Sequence, residues 1–87
     1  MGDTIQIRVR TAGRLGQYLP PGSARNAADL SVPAGISAAG LIELLGMPGD
    51  QRYLVSVNGS LVPPSQRMAQ TIGDGDEVAI MPPLRGG

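Results

Sequence analysis

The chain lacks three of the side chains on which many enzyme active sites depend. Its 87 residues include no cysteine and no histidine, which removes the thiol nucleophile, the commonest general base and the commonest metal ligand. Lysine is absent as well, so that all seven basic residues are arginine. We therefore expect no active site in the chain itself, no bound metal, and chemistry only in company with partner proteins.

Aromatic residues and net charge are also scarce. Two tyrosines are the only aromatic residues, and the seven arginines balance seven acidic residues. Nucleic-acid binding requires a basic face or aromatic stacking platforms, so we expect no nucleic-acid partner. No apolar run approaches the ~20 residues that span a bilayer, and residues 1–4 lack a basic and then apolar leader. These features predict no membrane partner and a cytoplasmic location.

Alternating apolar and polar residues predict a sheet. Strands are expected at 4–10, 27–32, 53–58 and 77–81, with a short strand at 61–62 after the hairpin signal Asn58-Gly59. The Gly- and Pro-rich segment 11–25 joins the first two strands, and Leu15, Tyr18 and Leu19 within it are expected to cover one edge of the core. A single helical turn is expected within 65–70.

One helix is predicted between the second and third strands. Ser37 is placed as its N-cap, Gly46 stands where the C′ residue belongs, and Pro48 prevents continuation. Apolar residues follow at helical spacing at 38, 41, 42 and 45. One amphipathic helix on one face of a mixed four- to five-stranded sheet is the economical α+β arrangement.

One glycine- and aspartate-rich segment partly matches the motifs of phosphate-binding and calcium-binding loops but completes neither. The segment Gly73-Asp74-Gly75-Asp76-Glu77 leads into a strand where a phosphate-binding loop would lead into a helix, and the distal glutamate of a calcium loop is missing. We interpret these residues as turn formers that also keep a sheet edge solvated.

The last residues, Gly86-Gly87, carry the strongest functional signal. Two residues without Cβ atoms can pass through a narrow channel and present a terminal carboxylate to a reactive centre. With 13 glycines in the chain, such a pair arises by chance in roughly one comparable chain in 50. We divide the chain into a domain at 1–81 and a flexible tail at 82–87, in which Pro82-Pro83 favours an extended exit.

Several segments together resemble the MoaD/ThiS family of ubiquitin-like sulfur carriers, and the resemblance covers essentially the whole chain. They are Ile5-Gln6-Ile7-Arg8-Val9-Arg10, Leu19-Pro20-Pro21-Gly22, Leu41-Ile42-Glu43-Leu44-Leu45-Gly46-Met47-Pro48, Val55-Ser56-Val57-Asn58-Gly59 and Gly73–Gly87. The last segment is most similar to the small subunit of molybdopterin synthase. The resemblance implies a ubiquitin-like β-grasp fold.

The resemblance also implies a function. A ubiquitin-activating-type adenylyltransferase would adenylate Gly87 with ATP and magnesium, and a persulfide would convert the acyl-adenylate into a thiocarboxylate. The sulfur would pass to an acceptor such as the large subunit of molybdopterin synthase. The chain would then be a carrier without a cofactor of its own, with Gly86 beside the reacting group, and a monomer when free.

We place the partner-binding surface on the sheet face away from the helix and along the tail. Its predicted residues are Arg8, Arg10, Leu54, Met81, Pro83, Leu84 and Arg85. Other acceptors remain open, including thiazole, cysteine and further thiolation pathways. Two other functions also remain open. One is a protein modifier conjugated through Gly87, which Arg85 favours because Leu84-Arg85-Gly86-Gly87 resembles the tail of ubiquitin. The other is an interaction module whose terminal glycines have no function.

Overall fold

A mixed sheet with one helix across one of its faces forms the fold. The computed structural model describes residues 3–20, 23–48 and 53–82. Within them the strands are β1 (Thr4–Thr11), β2 (Ala27–Pro33), β3 (Leu54–Val57), β4 (Ser60–Val62) and β5 (Glu77–Met81), and the helix is α1 (Ala38–Leu44). The predicted order of elements is confirmed.

The strand order decides where the chain leaves the sheet. The order is β2-β1-β5-β3-β4, and β1 runs parallel to β5 in a register that pairs Thr11 with Ile80. The other three strand pairs are antiparallel. Strands β1 and β5 therefore end at the same end of the sheet, which we call the exit end because Pro82 follows β5 there. We call the opposite end the far end.

The core lies between the sheet and α1. Side chains from all five strands and from the helix meet there and are almost wholly removed from solvent: Val9, Val32, Leu41, Val55, Val62, Val78 and Ile80. The predicted alternation is confirmed in β3 and β5, where every second residue is buried. Fully burying such a side chain stabilises the fold by roughly 1.5–3 kcal/mol, so this layer holds the domain together.

Helix α1 begins and ends where the sequence predicts. The Gly40 N–H donates to Ser37 Oγ at 3.0 Å, so Ser37 is the N-cap. After the helix Gly46 has a φ of +75°, as its predicted place beyond the C-terminus requires. The helix spans seven residues and is too short to be stable alone. It depends on the apolar contacts that Ala38, Leu41 and Ile42 make with the sheet.

The hairpin between β3 and β4 is confirmed as a two-residue turn. Asn58 and Gly59 have φ values of +51° and +85°, the left-handed pair that matches the twist of a hairpin. Asn58 Nδ2 donates to Asp76 Oδ1 at 2.9 Å, and Asn58 Oδ1 accepts from the Glu77 N–H at 2.9 Å. These contacts connect the hairpin to the start of β5.

Two local predictions need correction. The segment Asp74–Glu77 does not protect a sheet edge, because β5 lies between β1 and β3 in the middle of the sheet. Within it, Asp74 accepts from the Gln6 N–H and Asp76 from the Gly73 N–H, which holds the loop that enters β5. The second concerns 11–25, where the expected loop contains a 3₁₀ turn, Gly13–Tyr18. Leu15, Tyr18 and Leu19 contact the core there as predicted. The single helical turn expected within 65–70 is present: the Gln70 N–H donates to the Gln66 carbonyl at 2.8 Å, after a 3₁₀ turn at Pro64–Gln66.

Candidate functional site

The face of the sheet away from α1, which we call the outer face, carries an apolar patch beside the exit end. Leu54 on β3 is paired with Met81 on β5, and Ser56 is paired with Ala79. All four are half-buried, and the strand pattern places them opposite the buried Val55, Val78 and Ile80. The predicted positions of Leu54 and Met81 on one surface are confirmed.

Leu61 extends the patch to the sheet edge and was not among the predicted partner-binding residues. It is paired with Ser56 across β3 and β4, and 66% of its surface is exposed. The sequence did contain the necessary signal, because buried Val62 must alternate with an outward neighbour once the hairpin register is fixed. We call Leu54, Leu61, Ala79 and Met81 the outer patch.

Arg8 and Arg10 lie on the same face, but each is engaged by a carboxylate of a neighbouring strand. Arg8 Nε lies 3.0 Å from Asp29 Oδ1 on β2, and Arg10 Nε lies 3.7 Å from Glu77 Oε1 on β5. The hydrogen bond from Arg8 to Asp29 raises the already high pKa of the guanidinium. These exposed pairs add little stability. Their consequence is that a partner must compete with Asp29 or Glu77 for each guanidinium.

Five of the predicted site residues lie outside the described part of the chain. They are Pro83, Leu84, Arg85, Gly86 and Gly87. The structure does place their point of departure, since Pro82 is exposed and follows Met81 directly. The predicted roles of the tail, and its separation from the domain at residue 82, remain predictions.

Two kinds of functional feature are not found in the described part of the chain. No cluster of three or more acidic side chains with metal-binding geometry occurs among its residues. No helix in the described ranges is long and apolar enough to cross a membrane.

The strand order and the single helix across a mixed sheet define the chain as a ubiquitin-like β-grasp protein, which confirms the predicted fold class. Residues 21–87 match the model of the ThiS family, so the match includes the Gly86-Gly87 ending. The chain belongs to the ThiS family. No curated protein is significantly similar to it in sequence.

Solved structures agree with this fold. The HVO 2177 protein of Haloferax volcanii has a TM-score of 0.73 at 20% identity, over 97% of this chain and 88% of that chain. A protein described as a putative molybdopterin converting factor subunit 1, from Pyrococcus furiosus, has a TM-score of 0.67 at 19% identity, over 92% and 99%. Small archaeal modifier protein 1 of H. volcanii has a TM-score of 0.65 at 17% identity, over 92% and 99%. Identities this low establish similarity of fold.

Proposed function

We propose that the chain is a sulfur carrier whose Gly87 carboxylate is adenylated by a partner enzyme and converted to a thiocarboxylate. The observation that carries the proposal is the ThiS family match, which extends to Gly87. The composition supports it, because a chain without cysteine or histidine depends on a partner for both the activation and the sulfur. In this role the chain is a co-substrate and the partner is the enzyme.

The chemistry explains why activation is needed. A carboxylate is a poor electrophile, because its charge is delocalised and an oxide is a poor leaving group. Attack by a Gly87 carboxylate oxygen on the α-phosphorus of ATP releases pyrophosphate and leaves an acyl-adenylate. A persulfide sulfur then attacks the acyl carbon and expels AMP, and a second thiol cleaves the new S–S bond. The C-terminal thiocarboxylate that remains carries a soft, nucleophilic sulfur.

The domain contributes recognition, and the tail contributes reach. The outer patch combines half-buried Leu54 and Met81 with exposed Leu61, and an apolar surface bounded by charged residues is typical of a reversible protein interface. It lies beside Pro82, where the chain leaves the sheet. A partner that covers the patch is thus positioned to receive the tail.

For the acceptor we propose molybdopterin formation, with a protein like the large subunit of molybdopterin synthase as the sulfur-accepting partner. The resemblance of Gly73–Gly87 to the small subunit of that enzyme supports this choice. So does the fold similarity to the Pyrococcus furiosus protein that is described as a molybdopterin converting factor subunit. Thiazole, cysteine and other thiolation pathways are the alternatives.

A protein modifier is the second candidate function. Arg85 favours it because Leu84-Arg85-Gly86-Gly87 resembles the tail of ubiquitin, and one protein of similar fold is described as a small archaeal modifier. In that case the activated Gly87 carbonyl would be attacked by a lysine amine of a target protein, and an isopeptide bond would form.

Intact-mass and peptide mass spectrometry of the protein from its native cells tests these functions. A thiocarboxylate at Gly87 supports the carrier, and peptides joined to target lysines through Gly87 support the modifier. An unmodified acid under every growth condition would contradict both functions and leave an interaction module. Isolation of the acceptor protein that removes the sulfur identifies the pathway.

A further inference from the structure

The described residues of the segment that joins β1 to β2, 12–20 and 23–26, lie at the exit end of the sheet. Strand β1 ends at Thr11, which is paired with Ile80 near the end of β5. Strand β2 begins at the same end, since Arg10 is paired with Ala27. The segment therefore flanks the point at which Pro82 leaves the sheet. We call it the exit loop.

Specific contacts hold the exit loop against the sheet. The Thr11 hydroxyl donates to Asn26 Oδ1 at 2.8 Å, and the Thr11 N–H donates to the Asn26 carbonyl at 2.9 Å. Leu19 reaches into the core. Gly16 lies so close to the Arg25 carbonyl oxygen that a Cβ atom there would overlap it. The surface of this loop therefore has a defined position relative to Pro82.

The exit loop presents two arginines that have no acidic partner among the described residues. Arg14 and Arg25 are both exposed, and together with Gln17 they line one shallow depression. The contrast with Arg8 and Arg10 is informative, because those guanidinium groups are engaged by carboxylates on neighbouring strands. Arg14 and Arg25 are available to an anionic group from outside the chain.

Charge is unevenly distributed along the sheet although the net charge of the chain is zero. Asp3 precedes β1 at the far end, and Asp74 and Asp76 lie in the loop that enters β5 and contact the first half of β1. Arg14 and Arg25 lie at the exit end. Glu43 also lies toward this end but on the helix side, where it lines a groove with Tyr53 and Arg67. A partner that approaches the exit end along the loop therefore meets positive charge.

We propose that Arg14 and Arg25 form a docking surface for an acidic rim around the channel through which the adenylating enzyme receives Gly87. This inference rests on the proposed carrier function and adds a second contact region to the outer patch. The positive charge of the two arginines favours an acidic protein surface as the partner. Their position beside Pro82 favours the enzyme that binds the tail.

Chain length sets how closely the exit loop must approach that channel. Five residues, 83–87, follow Pro82, and a fully extended chain advances at most about 3.6 Å per residue. The Gly87 carboxylate thus lies no more than about 18 Å from Pro82. When it reaches the α-phosphate of ATP, the exit loop is pressed near the channel mouth. The tail can separate the exit loop from the ATP phosphates by up to this length, so the anionic partner that we propose for the two arginines is the protein rim.

The test compares two double variants that have the same net charge. Arg14→Gln with Arg25→Gln removes two positive charges at the exit end. Ala34→Glu with Gln70→Glu adds two negative charges at exposed positions of the far end, where Ala34 follows β2 and Gln70 contacts the start of α1. The adenylating enzyme is first identified by its pyrophosphate exchange activity with the unmodified chain. Its association rate with each variant is then measured by surface plasmon resonance from ~0.05 to ~0.5 M salt.

The proposal expects the arginine variant to associate about tenfold more slowly at low salt, with the difference falling below about twofold at high salt, because exposed charges act on the encounter rate and are screened. Its maximal exchange rate should be unchanged at saturating carrier, and the far-end variant should behave like the unmodified chain. Equal effects of both variants, or no effect of either, would overturn the docking surface. An unmodified chain that no adenylating enzyme accepts would instead overturn the carrier function, and thermal melts of all variants exclude unfolding.

Discussion

Leu54 and Met81 are direct partners across β3 and β5, and their side chains lie together on the outer face at the exit end. The next residue after Met81 is Pro82, so the pair is the last apolar contact before the tail. This relationship connects recognition with delivery, because a protein that covers Leu54 and Met81 also fixes the direction in which the tail departs.

The first prediction concerns this pair. Met81→Asp or Leu54→Asp should lower the affinity for the adenylating enzyme by a factor of ten or more, since an unpaired carboxylate desolvated in an interface costs several kcal/mol. The cost in stability should be about 1 kcal/mol, because both residues are only half-buried on the free domain. Binding by titration calorimetry and stability by thermal melt measure the two effects separately.

The matched control for that prediction is Ile80→Asp. Ile80 has no exposed surface and lies in the core, so a carboxylate there should unfold the domain, as circular dichroism would show. An unfolded Met81→Asp protein beside a native Ile80→Asp protein would show that the two faces of β5 had been exchanged.

The alternation that separates Ile80 from Met81 was readable in the sequence, as was most of the fold. The patterns of β1, β2 and β5, the N-cap at Ser37 and the Asn58-Gly59 turn are all local signals, and local chemistry decided them. What the sequence missed depends on contacts between distant segments. Ile72 is buried although it belongs to no segment with a periodic apolar pattern. Its N–H donates to the Ile36 carbonyl, and this hydrogen bond holds Ile72 beside the start of the helix.

The candidate site shows the same division. Alternation placed Leu54 and Met81 on the outer face, but it could not reveal that Arg8 and Arg10 are held by Asp29 and Glu77, since those pairs depend on strand order and register. Parallel pairing of β1 with β5 also places the exit loop beside Pro82. The chain connects those two regions only through more than fifty intervening residues.

The second prediction concerns the helix cap. Ser37→Ala removes the acceptor for the Gly40 N–H and should lower the free energy of unfolding by about 1 kcal/mol. For a domain of this size the thermal midpoint should fall by about 4–8 °C. Ser37→Asp keeps an acceptor and should stay near the unmodified value. A loss in both variants would indicate that Ser37 acts through packing.

The third prediction concerns Asp76, which joins two turns at the far end. Its two carboxylate oxygens accept from Asn58 Nδ2 at 2.9 Å and from the Gly73 N–H at 2.7 Å. Asp76→Ala should lower stability by about 1–2 kcal/mol in a urea titration. Pyrophosphate exchange at a temperature where the variant is folded should be unchanged, because these turns lie away from the exit end. A specific loss of exchange would mean that the far end also contacts the partner.

The fourth prediction follows from the absence of lysine. If the chain is attached to other proteins, each target lysine should carry a single copy, because no side-chain amine on the first copy can accept a second. The Met1 amine is the one exception, and blocking it should remove any remaining linkage. Immunoblots of conjugates from native cells measure this, and ladders of branched, self-linked chains would contradict it.

The fifth prediction concerns the tail and tests the carrier function most directly. Deleting Gly87 should abolish adenylation and sulfur loading without changing the thermal midpoint. The acyl carbon would end one residue, about 3.5 Å, short of the ATP α-phosphate, and in-line attack tolerates far less misplacement. Adding one residue after Gly87 should inactivate the chain equally until a protease removes it. Pyrophosphate exchange with the adenylating enzyme is the measurement.

Gly86→Val separates passage through the channel from docking. A β-branched side chain next to the reacting group should slow loading by obstructing the channel, while docking affinity stays nearly unchanged because the outer patch is intact. Equal binding of the Gly86→Val protein and the Gly87 deletion by the enzyme, with both defective in exchange, would place recognition on the domain and reactivity in the last two residues. Full exchange activity in the Gly87 deletion would exclude the carrier function, since no acyl group would then remain at the position where the adenylate must form.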